Sequence, residues 1–177
     1  MAALVLNIIL FQIGWWACVL GAANQLPWLG PVVMLVPVGW WLATGGHAGR
    51  LVAIALIGFA VDCLLAAAGF VVFPNQPLLL GLCPLWMLAL WFGFATLLDR
   101  SLAWMRGSIV LPLLFGVLGA PLAYIGAVAL QALQVEAGVM PWVAIAAGWG
   151  GVLVLIYRVF LPGPAPEPAA TAEVQHV

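Results

Sequence analysis

Asp62 is the side chain whose chemistry most needs an explanation. It stands near the centre of an apolar stretch, residues 51–73, with no Lys or Arg at matching depth. An ionisable group in the middle of a membrane helix costs about 2.5–3.5 kcal/mol on insertion scales, and such groups are retained where they bind an ion or substrate, relay a proton or join helices. Ile54, Gly58, Asp62, Ala66 and Gly69 recur at helical spacing and form one stripe. Small residues let a second helix approach closely, whereas Ile57, Leu64 and Val71 lie opposite and suit lipid. Asp62 is therefore expected to point into a helical bundle. There it is either a packing group, hydrogen-bonded to a neighbouring helix, or a working carboxylate that handles a proton or a cation.

Other polar and aromatic groups at membrane depth extend the candidate site. Gln12, at comparable depth in the first apolar stretch, is the expected hydrogen-bond partner of Asp62. Asn7 shares a face with Phe11, Gly14, Cys18 and Gly21. It projects about 140° away from Gln12 on an ideal helix, so the two amides cannot face one neighbour squarely. Tyr124 lies close to the middle of the fifth stretch and needs a partner for its hydroxyl. Trp86, with Trp15, Trp16, Trp91 and Trp149, either packs the bundle or lines a ligand pocket. Asp62, Gln12, Asn7, Tyr124 and Trp86 together make the candidate intramembrane site.

The elements that must position these groups follow from composition. Of 177 residues, 67% are hydrophobic and only 5% charged, against roughly a quarter charged in a soluble domain, and the mean hydropathy is +1.27. Apolar runs of about twenty residues match helices that cross a bilayer, and the polar–apolar alternation of a membrane barrel is missing. Six spans are expected: residues 3–23, 28–44, 51–73, 78–98, 108–133 and 139–160. A short interfacial helix is expected over 99–106. The fifth span carries Gly116, Ala120, Ala123 and Ala127 on one face, with Pro121 beside it. The fold class is thus all-α, a polytopic membrane bundle occupying residues 1–160. Residues 161–177, rich in Pro and Ala, read as a disordered cytoplasmic tail.

Charge sets the orientation. The chain has no lysine, and Arg50, Arg100, Arg106 and Arg158 all fall on one side of a six-span pattern. Positive charge stays in the cytoplasm, so both termini are expected there, with the four arginines contacting lipid headgroups. Trp28 and Trp142 are expected at the outer interface, and Trp40, Trp41, Trp104 and Tyr157 at the inner one.

Several function classes are excluded or disfavoured. There is no basic patch for nucleic acid and no phosphate-binding glycine loop. No GxSxG or HExxH motif is present, and no second group pairs with Asp62 as a catalytic partner, so the sequence points away from an enzyme. His47 and His176 have no metal-ligand company, and neither a metal nor a cofactor is expected. Cys18, Cys63 and Cys83 are odd in number, without CxxC spacing, and read as small packing residues.

The residues Asn7 to Ala23 (NIILFQIGWWACVLGAA) resemble the opening of an uncharacterised bacterial inner-membrane family, domain of unknown function twenty-eight seventy-eight. Pro84-Leu85-Trp86-Met87-Leu88-Ala89-Leu90-Trp91, with Phe94 to Leu98 and Ser101 to Trp104, is similar to a second signature of that family. Pro121-Leu122-Ala123-Tyr124 resembles a third, and Asp62 sits where the family tends to have an aspartate. The resemblance extends to about Arg158. It implies a multi-pass protein of the bacterial inner membrane, with members often encoded near lipid-modifying enzymes, and it supplies no catalytic residues. The expected function is a small binding or transport module centred on Asp62, with membrane lipids and a small-molecule or lipid ligand as partners. The alternative is an accessory protein that holds enzymes of membrane fatty-acid modification as protein partners.

Overall fold

The computed structural model describes residues 1–74, 76–79 and 81–163, so the expected tail lies outside the described residues beyond Gly163. Among the described residues there are six α-helices: α1 (Ala2–Ala23), α2 (Leu29–Ala43), α3 (Ala48–Ala67), α4 (Leu85–Leu98), α5 (Val110–Ala129) and α6 (Met140–Val159). Four of them, α1, α3, α5 and α6, are long and apolar enough to cross a membrane, as a membrane protein requires. With 15 and 14 residues, α2 and α4 reach only about 22 Å at 1.5 Å per residue. The outer faces of α2, α3 and α5 match a lipid solvent: Leu35, Leu64, Leu118 and Leu122 are each more than 60% exposed, whereas large exposed apolar patches are rare on soluble proteins.

The shortest helix is the most deeply placed. Ten residues of α4 are buried, among them Trp86, Trp91 and Leu98. It packs against α1, α2 and α3, while α6 joins α3 to α5. A helix apolar on every side belongs in such a position. Small residues set the spacing between neighbours. A Cβ at Gly116 would stand 2.7 Å from the Gly150 Cα, so α5 and α6 touch backbone to backbone. The same close approach joins α1 to α2, where Cys18 lies on Gly30.

The third and fourth spans differ from expectation. Residues 51–73 were expected to form one helix, but α3 ends at Ala67 and the chain turns at Gly69, whose φ of +77° is a left-handed conformation that L side chains avoid. Asp62 therefore lies in the last third of α3 and not at its middle. Val71 is buried and not lipid-facing, because β1 (Val71–Val72) pairs antiparallel with β4 (Gln134–Val135). The Glu136 amide adds a bond of 3.0 Å to the Phe70 carbonyl. The first residues of the expected fourth span form a hairpin, β2 (Leu78–Leu79) with β3 (Cys83–Pro84). Pro77 and Pro84 bias their preceding residues to extended backbone, and Pro84 then stands at the N-cap of α4. The loops after α3 and α5 thus close one end of the bundle. At the other end, the helix expected over 99–106 reduces to one 3-10 turn, Ala103–Met105.

Candidate functional site

Asp62 is 1% exposed and accepts three hydrogen bonds. Trp91 Nε1 donates to Oδ2 at 2.6 Å, Tyr124 Oη to Oδ1 at 2.7 Å, and Trp149 Nε1 to Oδ1 at 3.1 Å. The donors come from α4, α5 and α6, so one carboxylate on α3 ties four helices at a point. The local sequence makes this reachable. Gly58 stands one turn before Asp62 on the same face, and the Trp91 ring lies against it, 2.1 Å from where a Cβ would be. The Trp91 and Trp149 rings stack at 4.3 Å with an interplanar angle of 25°. Phe94 meets both edge-on at 5.7 Å.

These aromatic groups form a wall of a cavity of about 380 Å³ between α1, α4, α5 and α6. This is within the usual range of small-molecule sites, roughly 300–1,000 Å³. Trp91, Tyr124 and Trp149 line it, and Trp86, Gln12 and Trp15 complete the polar and aromatic lining. Asp62 does not reach the cavity: its donors stand between it and the space. The carboxylate therefore holds the wall, and the wall meets whatever fills the cavity. Gln12, Leu122 and Ala123 are exposed, so the mouth opens on the flank of the bundle between α1 and α5.

The expected site residues separate into different places. Tyr124 joins Asp62, as its hydroxyl required. Gln12 is not the partner of Asp62: α1 packs on α2 and α4, with α4 between it and α3, and the amide lies at the cavity mouth. Asn7 is far from Asp62 and completes a separate polar seam, donating to Thr96 Oγ1 at 3.3 Å and accepting from Ser101 Oγ at 2.7 Å. Trp86 lines the cavity, and its Nε1 donates to Gln76 Oε1 at 2.7 Å. Gln76, which in turn donates to the Ala132 carbonyl, had no signal in the sequence beyond its place between two prolines. Trp91 and Trp149 were visible only as deep tryptophans; nothing in their spacing assigned them to a carboxylate on another helix.

The arginines converge on one end of the bundle. Asp99 accepts from Trp41 Nε1 at 3.0 Å, pairs with Arg50, and gives its backbone carbonyl to Arg106. Arg100 donates to the Trp41 and Thr44 carbonyls and lies 4.8 Å from the Trp40 ring centroid. Trp41 and Tyr157, expected at the interface, are buried instead; the Tyr157 hydroxyl lies between the carbonyl of Leu98, the last residue of α4, and that of Leu102 beyond it, and shares its one proton between them. Arg158 is exposed. Three of the four arginines thus spend hydrogen bonds on the protein. His47 is an N-cap, its Nδ1 accepting from the Arg50 amide at 3.3 Å. Among the described residues no group of three His, Cys, Asp or Glu side chains could hold a metal ion.

The family described as protein of unknown function (DUF2878) matches residues 4–155. The chain belongs to this family. Every residue of the Asp62 cluster falls inside the matched segment. No match was found among the curated proteins or among the solved structures.

Proposed function

We propose that the chain is a binding module of the bacterial inner membrane that crosses the bilayer six times with both termini in the cytoplasm. Its ligand site is the aromatic cavity that Asp62 organises. The observation that carries this reading is the triple hydrogen bond to Asp62, which fixes two tryptophans and a tyrosine around a space left unfilled. A carboxylate used only as interhelical glue would sit in a filled core, since protein interiors pack closely. The lining is mostly apolar with the Gln12 amide at its mouth, which suits a small, largely apolar molecule with a single hydrogen-bonding group. Arg50 and Arg106 meet on Asp99, and Arg100 bonds to the end of α2 beside them, which supports the one-sided arginine pattern and hence the orientation. With one guanidinium nitrogen of each bound to the protein, these arginines contribute to headgroup contact through their remaining exposed N–H groups, and so does Arg158.

The test uses an apolar photoprobe, adamantyl diazirine, on the purified full chain in lipid nanodiscs. Adducts are expected on Met87, Ala120 and Ala127, which line the cavity yet are almost inaccessible from outside. Ala123→Trp, at an exposed position in the mouth, should remove those adducts while the thermal unfolding temperature holds. Adducts confined to outward residues such as Leu118 would exclude the cavity as a ligand site.

A further inference from the structure

We infer that the occupant is a single hydrocarbon chain of a bilayer lipid, inserted sideways between α1 and α5 and laid along α5. This rests on the reading of the cavity as a ligand site and names what enters it. A second, shallower furrow of about 330 Å³ runs down the outer face of α5 from Trp104 past Leu111, Leu114 and Leu118. It shares Phe115, Gly119 and Leu122 with the cavity, so the two spaces adjoin along α5. From Leu111 to Ala127 the combined track is about 24 Å long at 1.5 Å per residue. That exceeds one leaflet's half of a hydrocarbon core about 30 Å thick. A compact ligand would fill the cavity and leave the furrow idle, whereas an extended chain fits both. Trp104, 59% exposed at the head of the furrow, marks the level of an aromatic girdle, where a lipid's polar head resides. The chain can therefore enter without its head leaving the interface.

Gly119 is the join. A Cβ there would meet only the Phe115 ring, at 3.8 Å, an ordinary contact. Unlike Gly58, Gly116 and Gly150, it is not demanded by a neighbour that presses against it. In a helix it costs about 1 kcal/mol relative to Ala, and what it leaves is a passage between furrow and cavity.

The experiment places the full chain in vesicles of phosphatidylcholine containing a phospholipid with a diazirine at the end of one acyl chain. Crosslinks are mapped by mass spectrometry beside a parallel adamantyl diazirine reaction. Acyl crosslinks are expected on the inward Ala127 and Met87, and in Gly119→Phe these should fall about tenfold or more, while those on outward Leu111 and Leu118 persist. Retention of the adamantyl adducts in Gly119→Phe shows that the fold survives, and Gly119→Ala, which leaves the passage open, should keep the inward acyl crosslinks. Acyl crosslinks only on outward residues, with adamantyl adducts still inside, would overturn the lipid inference and leave the site standing. Loss of both inward signals in the unsubstituted chain would overturn the site together with the inference.

Discussion

At the scale of single residues, Asp62 matters for what it holds. Its two oxygens accept three donors, two of them indole N–H groups that need an acceptor inside a bundle. Hydrogen bonds between membrane helices contribute about 0.6 kcal/mol on average and up to about 1.7, so Tyr124→Phe should lower stability by about 1 kcal/mol. Asp62→Asn presents an N–H₂ group to N–H and O–H donors and leaves at least one of them unpaired; a loss of about 1–3 kcal/mol is expected. Gln12→Ala, at the exposed mouth, should change stability little. Thermal unfolding of the three variants in one detergent orders them: Asp62→Asn lowest, then Tyr124→Phe, with Gln12→Ala close to the unsubstituted chain. A Gln12→Ala loss equal to that of Asp62→Asn would mean that the amide supports the carboxylate after all.

At the scale of elements, the site depends on how closely α4 lies on α3. The Gly58 backbone is the surface on which the Trp91 ring rests, so a side chain there has nowhere to go. Gly58→Val should cost about 1–3 kcal/mol by overpacking. It should also displace the indole from Asp62, which can be read as increased quenching of tryptophan fluorescence by acrylamide. Gly151→Val is the matched control, since a Cβ at Gly151 meets no atom within 4 Å. Equal losses for both would mean that the Trp91 contact is not the cause. The shortest helix also acquires a reason at this scale. α4 is surrounded by protein on most sides, and the β2–β3 hairpin and the β1–β4 pairing complete the layer above it.

At the scale of the molecule, orientation and span number are one question. Reporter fusions ending at Gly46 and Gly107 should both report the cytoplasm, and a fusion ending at Ala137 should report the opposite side. The physical basis is that positive loops resist translocation. The Asp99 cluster adds a tertiary constraint, because it draws Arg50, Arg100 and Arg106 to one end of the bundle. Opposite locations for the Gly46 and Gly107 fusions would contradict both the charge pattern and this cluster.

Residue chemistry alone determined the class of this protein. With so little charge and apolar runs this long, the backbone has no solvent-compatible choice but helices in lipid. The small-residue stripes on α1, α3 and α5 likewise announced most of the packing faces, because the 3.6-residue period writes a packing face into the order of residues; Ala123, at the cavity mouth, and Gly69, beyond the end of α3, are exposed instead. Asp62 could be placed inside the bundle for the same reason. Its partners could not. Gln12 matched it in depth, but depth is one coordinate, and the rotation and neighbour order of the helices decided that α4 would stand between them. The ends of α3 and α4 were also hidden, since hydropathy does not distinguish an apolar hairpin from a membrane helix. Only the folded chain brought Trp91, Tyr124 and Trp149 to one carboxylate, because contacts between residues 29, 62 and 87 positions apart leave no local pattern to read.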